Sequence, residues 1–130
     1  GLLNNPPDDR PAYLCKLMSR FGKEFRRGEY IFRAQDDGHD LYYVVSGEVS
    51  IVQDGFQLRL SEAGDYFGEM AFLTDTKRVA DAVVQSESAE VIVISGDNIQ
   101  TLLLEEPKIT LVFLKQMASR LQKTNIKASA

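Results

Sequence analysis

Apolar residues change their spacing twice along this chain of 130 residues, and each change indicates a different kind of element. Near the start they recur at three- and four-residue steps, which predicts a helix from Ala12 to Phe21 whose apolar face carries Leu14, Leu17 and Met18. The first eleven residues hold three of the four prolines. We therefore expect residues 1–11 to form a flexible leader.

In the middle of the chain the apolar period shortens to that of strands. Six short runs rich in β-branched and aromatic residues are divided by glycines and polar turn residues, at 29–34, 40–46, 48–54, 57–61, 80–86 and 89–95. Asp54-Gly55 joins two alternating runs and predicts a tight hairpin. The spacing indicates about eight antiparallel strands in a sandwich or barrel, interrupted by a short helical turn at Glu69–Leu73.

Helical spacing returns at the end of the chain. Asp97 is the predicted N-cap of a helix over Asn98–Glu105, and Pro107 then interrupts it. From Lys108 to about residue 127 the pattern predicts one long helix with a wide apolar face. Part of that face forms an apolar seam that either packs on the barrel or pairs with a second copy of the chain: Leu111, Leu114, Met117, Ala118 and Leu121.

Composition agrees with one mainly β domain with flanking helices over residues 12–130. Apolar residues make up 44% of the chain, which is enough for a core, and no apolar run reaches the roughly 20 residues that a transmembrane helix needs. Cys15 is the single cysteine, so no intramolecular disulfide is possible. Its apolar neighbours predict a buried thiol, and the missing disulfides fit a cytoplasmic location.

Charge is divided unevenly along the chain. Residues 1–107 carry ten basic and nineteen acidic side chains, so we expect no nucleic-acid contact by this acidic body. The remainder carries five basic residues and no acidic one: Lys108, Lys115, Arg120, Lys123 and Lys127. We expect these cations to complement the helix dipole and to solvate the outer face of the last helix. The alternative is contact with an anionic partner.

Catalysis finds little support in the residue types. His39 is the one histidine, and it lies in an acidic turn where a solvated ring is expected. A single histidine cannot supply a cluster of metal ligands, and Cys15 has no partner base nearby in sequence. We therefore expect neither an enzyme nor a metal site.

The segment Phe67–Leu73, with Arg78 beyond it, combines the groups that hold a sugar phosphate. Gly68 allows close approach of a ligand, Glu69 can accept a hydrogen bond from a ribose hydroxyl, and Arg78 can bind a phosphate. Each residue also has a plainer interpretation. Glu69 can be a helix-capping acid, and Arg78 can be a solvated loop residue whose removal costs little stability.

Together these residues closely resemble the phosphate-binding cassette of the cyclic nucleotide-binding domain family. That family includes bacterial catabolite activator proteins, regulatory subunits of cyclic AMP-dependent protein kinase, and cyclic nucleotide-gated channels. The resemblance covers roughly residues 21–125, including Gly28–Phe32 and Leu41–Val49. It implies an antiparallel β-roll of the jelly-roll type, with an N-terminal helix, a short phosphate-binding helix and a long C-terminal helix.

The resemblance also implies roles for single residues. Glu69 would bind the ribose 2′-hydroxyl, the amides near Met70 and Ala71 would face the phosphate, and Arg78 would pair with two phosphate oxygens. A threonine directly after the arginine is associated in the family with cyclic GMP. This chain has Val79 there, which favours cyclic AMP. Asp81 follows closely, and its carboxylate would repel the phosphate unless it points away.

The segment Gln116–Asn125 resembles the dimerisation helix of the catabolite activators. That likeness implies a homodimer in which Thr124 reads the base and Asn125 reaches the ligand of the partner subunit. Two hypotheses follow. The first is a cyclic AMP sensor, coupled to the C-terminal helix and related to transcription regulators. The second is an interaction module with the same fold and no nucleotide. The presence of Gly68, Glu69 and Arg78 favours the first.

Overall fold

The computed structural model describes residues 10–129, and side chains for residues 10–122. Its helices are α1 (Ala12–Phe21), α2 (Glu69–Thr74), α3 (Ile99–Glu105) and α4 (Pro107–Ser129). Its strands are β1 (Gly22–Arg26), β2 (Tyr30–Phe32), β3 (Leu41–Ser46), β4 (Val49–Gln53), β5 (Phe56–Ser61), β6 (Tyr66–Phe67), β7 (Asp81–Val84) and β8 (Ser88–Ile94).

The strands form two four-stranded antiparallel sheets, in the orders β1-β8-β3-β6 and β2-β7-β4-β5. This arrangement confirms the predicted mainly β fold with flanking helices. All six apolar runs form strands, whereas the sequences of β1 and β6 show no recognisable strand pattern. β1 is an edge strand with three charged residues, and β6 is too short to show a period. At the predicted hairpin, Asp54 and Gly55 both have positive φ, as a tight β4–β5 turn requires.

Strand β3 shows where the two cores lie. Tyr42 and Val44 pack between the two sheets, inside the roll. Leu41, Tyr43 and Val45 point the other way, against a layer that α1, α3 and α4 contribute. Because both faces are covered, β3 is a continuous apolar run instead of an alternating one.

Two predictions about the helices are wrong. Cys15 is exposed, because α1 buries Leu17 and leaves the thiol on the opposite side. Asp97 does not cap α3; Asn98 takes the N-cap position. The amide of Asn98 is tied to the preceding strand, since it donates to the carbonyl of Val93 at 2.7 Å and accepts from the N–H of Ser95 at 2.8 Å.

Helix α4 has two apolar faces with different surroundings. Ile109 is buried in the outer core, and Val112 and Phe113 pack against that core. Most of the predicted apolar seam lies on the other side: Leu111, Leu114, Ala118 and Leu121 are exposed. Packing on the roll therefore does not cover the seam. No helix in residues 10–129 is long and apolar enough to cross a membrane.

The predicted leader falls mostly outside the described residues, which begin at Arg10. Arg10 forms an ion pair with Glu90 on β8. Hydrogen bonds from Arg10 and from the Ser46 hydroxyl hold the pKa of the Glu90 carboxyl below its usual value, although partial burial opposes them. The end of the leader is thus attached to the roll.

Candidate functional site

A cavity of about 190 Å³ opens on the inner side of the roll, where β5, α2 and the segment before β7 meet. All six residues predicted for phosphate and ribose binding line it: Gly68, Glu69, Met70, Ala71, Arg78 and Val79. Its other lining residues are Phe32, Ile51, Leu58, Arg59 and Ala80. A largely apolar cavity with a few convergent charged groups is the usual form of a small-molecule site.

Gly68 forms the link between β6 and α2, and only glycine fits there. Its φ of +84° lies in the left-handed region. A Cβ at this position would lie 2.9 Å from Nη1 of Arg78 and 3.0 Å from the carbonyl oxygen of Asp40. The absence of a side chain thus allows the arginine to reach the backbone of the cassette.

Arg78 is buried, with 3% of its surface exposed, so the interpretation as a solvated loop arginine is wrong. Its Nη1 donates to the carbonyl of Gly68 at 3.1 Å and its Nη2 to that of Asp40 at 2.7 Å. The guanidinium carbon lies 4.0 Å from the ring centre of Phe32. Nε is buried and has no hydrogen-bond partner among the described residues. Burial lowers the pKa of this guanidinium, yet an arginine stays charged in proteins.

Lys77 and Asp81, which flank the segment Arg78–Ala80, are not among the residues that line the cavity. Lys77 is exposed and donates to a carboxylate oxygen of Asp37 at 2.7 Å. Asp81 accepts a hydrogen bond from the N–H of Ala34 at 2.7 Å. That bond holds the Asp81 carboxylate at the end of β2, which removes the repulsion that its position in sequence suggested.

Glu69 is also buried, at 9% exposure, and its carboxylate is already engaged. Oε1 accepts from Arg120 of α4 at 2.6 Å and from Arg59 of β5 at 3.3 Å. Both arginines also donate to the carbonyl of Tyr66. Charge-assisted hydrogen bonds of this kind are stronger than neutral ones. Glu69 therefore joins the cassette to the C-terminal helix.

Sequence reasoning missed Arg59 and misplaced Arg120. Arg120 does not solvate the outer face of α4; it points at the roll from the face that also carries Val112, Phe113 and Gln116. The signal available in the sequence was spacing, because Arg120 follows Phe113 and Gln116 at helical steps and therefore lies on the packed face. Arg59 lies in a run of alternating residues where an arginine normally faces solvent, so nothing in the sequence distinguished it.

The electrostatics of the cavity favour an anion. Arg59 and Arg78 line it and Arg120 lies beside it, whereas Glu69 supplies the one carboxylate among its lining residues. Burial is the largest influence on Arg59 and lowers its pKa, and Glu69 opposes that effect. Three guanidinium groups against one carboxylate leave an excess of positive charge, which suits a phosphate group.

Thr124 and Asn125, predicted to contact the base, lie in the helical backbone of α4 but outside the described side chains. Their roles stay predictions.

Comparison with known proteins extends these observations. Residues 22–106 match the sequence model of the cyclic nucleotide-binding domain family. The chain is 27% identical over 109 residues to the cGMP-dependent protein kinase egl-4 of Caenorhabditis briggsae, covering 79% of the chain and 14% of the kinase. It is 30% identical over 121 residues to the human potassium/sodium hyperpolarization-activated cyclic nucleotide-gated channel 2, covering 92% of the chain and 13% of the channel.

Among solved structures, the catabolite activator protein of Thermus thermophilus superposes with a TM-score of 0.73 at 26% identity. The match covers 93% of this chain and 59% of that one. The chain thus spans only a fraction of the length of these relatives.

Proposed function

This chain belongs to the cyclic nucleotide-binding domain family, and from that premise we propose that it senses cyclic AMP. The ligand binds in the cavity of the roll, and α4 responds to it. The observation that carries the proposal is the buried guanidinium of Arg78, which lines the same cavity as Gly68 and Glu69. Its Nε–H has no hydrogen-bond partner among the residues that the structure describes. A buried donor of this kind gains from a ligand acceptor, because an unpaired buried polar group is costly.

The phosphate would lie against Gly68 and Arg78. Both terminal nitrogens of Arg78 bond to backbone carbonyls, which fixes the plane of the guanidinium without using a carboxylate. The positive charge therefore remains available for an anion. Met70 and Ala71 contribute to the same wall of the cavity.

Ribose binding would couple the ligand to α4. The predicted ribose partner, Glu69, already accepts from Arg120 and Arg59. A ribose hydroxyl that donates to this carboxylate competes with Arg120 for it, so the ligand biases the position of the helix. This competition for the carboxylate provides a coupling free energy between ligand binding in the cavity and the position of α4.

Replacing Arg120 with glutamine tests this coupling. We expect the variant to bind cyclic AMP about fivefold more tightly or better, because the ribose hydroxyl no longer shares the carboxylate with the charged donor of Arg120. Amide exchange along α4 should rise in the free variant towards the level that nucleotide produces in the unmodified chain. Lys115→Gln removes the same charge from an exposed position of the same helix and should change neither quantity. Equal behaviour of the two variants would argue against the coupling.

The identity of the base rests on two residues that favour different nucleotides. Val79 has no hydroxyl with which to bind guanine, and this supports cyclic AMP. Arg59 supports cyclic GMP as a second candidate. Its guanidinium lines the cavity, and its Nε has no hydrogen-bond partner within the described part of the chain. Guanine offers two acceptors that match an arginine, where adenine offers an amino donor. A relative named as a cGMP-dependent kinase is in line with that candidate.

Calorimetric titration with the two nucleotides tests the proposal. We expect micromolar or tighter binding of cyclic AMP, with cyclic GMP weaker. Tighter binding of cyclic GMP than of cyclic AMP would favour the second candidate. In that case Arg59→Ala should abolish the preference, and Arg33→Ala, at an exposed arginine of the roll, should keep it. Absence of binding by both nucleotides would favour the interaction module.

The proposal includes a homodimer through α4 and a cytoplasmic location. The exposed seam residues Leu111, Leu114 and Leu121 support the dimer, because a helix pair across a two-fold axis would cover them. Thr124 would then contact the base bound in its own subunit, and Asn125 would reach the base bound in the partner subunit. Sedimentation of the titration sample measures the mass, which we expect to be twice 14.6 kDa. We also propose that nucleotide binding regulates an activity of the whole protein, such as the control of transcription.

A further inference from the structure

His39 connects the β2–β3 loop with the end of α2 through contacts to Ala71 and Asp75. Its Nδ1 lies 3.3 Å from the carbonyl oxygen of Ala71, and its Nε2 lies 3.4 Å from a carboxylate oxygen of Asp75. Ala71 lines the cavity, and its carbonyl also accepts the N–H of Asp75, the C-cap of α2. The imidazole therefore holds the helix that carries Glu69 and Ala71.

The two contacts place opposite demands on a neutral ring. A carbonyl accepts only, so Nδ1 must carry a proton to bond to Ala71. In that tautomer Nε2 presents a lone pair to the carboxylate of Asp75, and the second contact is unfavourable. The imidazolium carries a proton on both nitrogens and satisfies both contacts at once. Protonation thus converts a one-sided hold on α2 into a two-sided one.

Acidic and basic side chains both occur around the ring. Asp36, Asp37 and Asp40 lie in its own loop, and Asp75 faces it from α2. The opposing charges are Lys77, which pairs with Asp37, and Arg78, which donates to the carbonyl of Asp40.

We infer that His39 is a positioning residue for the nucleotide cassette, and that protonation of its ring strengthens the hold on α2. The inference rests on the proposed nucleotide site. Because the doubly protonated ring satisfies both contacts, the inference predicts that affinity for the nucleotide is higher at low pH than at high pH. The guanidinium groups of the cavity and a phosphodiester keep their charge between low and neutral pH.

Titration with cyclic AMP from about pH 5.5 to 8 measures the effect, and we expect the dissociation constant to rise about two- to fivefold, because Asp75 is an exposed partner. In His39→Gln the amide can still donate to Ala71, so affinity should persist without the pH slope. In Asp75→Asn the amide offers both a donor and an acceptor, and the slope should flatten. Asp97→Asn removes the same charge from an exposed position after β8 and should keep the slope. A flat profile for the unmodified chain, or an equal slope in His39→Gln, overturns the inference.

A measurement without nucleotide separates this inference from the proposed function. His39 is the one histidine in the chain, so its ring resonances can be followed through a pH titration without ambiguity. Exchange of the Asp75 amide, compared between the unmodified chain and His39→Gln at each pH, reports the hold on α2. We expect greater protection in the unmodified chain at low pH and a smaller difference at high pH. Equal protection in the two chains at every pH rejects the positioning role, and a difference that does not change with pH rejects the effect of protonation, whether or not nucleotide binds.

Discussion

Replacing Arg78 with alanine is expected to weaken binding of cyclic AMP by about a hundredfold or more, since hydrogen bonds to a charged group contribute roughly 1.5–3 kcal/mol each. The structure adds a second consequence that the sequence did not indicate. The carbonyls of Gly68 and Asp40 each lose the hydrogen bond from the guanidinium, and a space opens beside Phe32. We expect a loss of about 2–4 kcal/mol in the free energy of unfolding.

The neighbouring lysine provides the matched control. Lys77→Ala removes the same charge one residue earlier, from an exposed side chain that pairs only with Asp37 among the described residues. Calorimetry and thermal unfolding should find the Lys77→Ala variant close to the unmodified chain in both affinity and stability. Arg78→Lys should keep part of the stability but lose most of the affinity, because an ammonium lacks the planar fork. Near-normal binding by Arg78→Ala would exclude this arginine as the phosphate ligand.

Gly68→Ala is expected to have the second-largest effect, with a loss of about 2–4 kcal/mol of stability and at least a tenfold loss of affinity. The left-handed backbone alone costs an alanine roughly 1–2 kcal/mol. The new methyl group also meets Nη1 of Arg78 at 2.9 Å and the carbonyl oxygen of Asp40 at 3.0 Å. It therefore moves the guanidinium that we propose for phosphate binding.

Gly28 separates the two contributions. Its φ of +87° is almost the same, but a Cβ there meets no atom within 4 Å. Gly28→Ala should therefore show only the backbone cost and should bind cyclic AMP normally. Denaturant unfolding and calorimetry of the two variants give the difference. If both variants lost the same stability and kept the same affinity, close packing at Gly68 would play no part in binding.

Much of the fold could be predicted from the chain because its signals are local. The Asp54-Gly55 turn, the helix after Gly68 and the long helix after Pro107 each depend on residues a few positions apart. Strands β1 and β6 could not be predicted, since their pairing with β8 and β3 stabilises them more than their own composition does. The exposure of Cys15 was mispredicted because an apolar neighbourhood in sequence does not fix the face that a neighbouring layer covers.

The sequence by itself determined the order of the elements apart from β1 and β6, the hairpin, and the six cassette residues that line the cavity. Only the tertiary structure decided which charged side chains pair with one another at the cavity. Glu69 meets Arg59 and Arg120, which lie 10 and 51 positions away in the chain, and Arg78 is buried against carbonyls of other segments. The physical reason is that periodicity records which side of an element is apolar. It does not record which distant side chain folding brings to a buried carboxylate or a buried guanidinium.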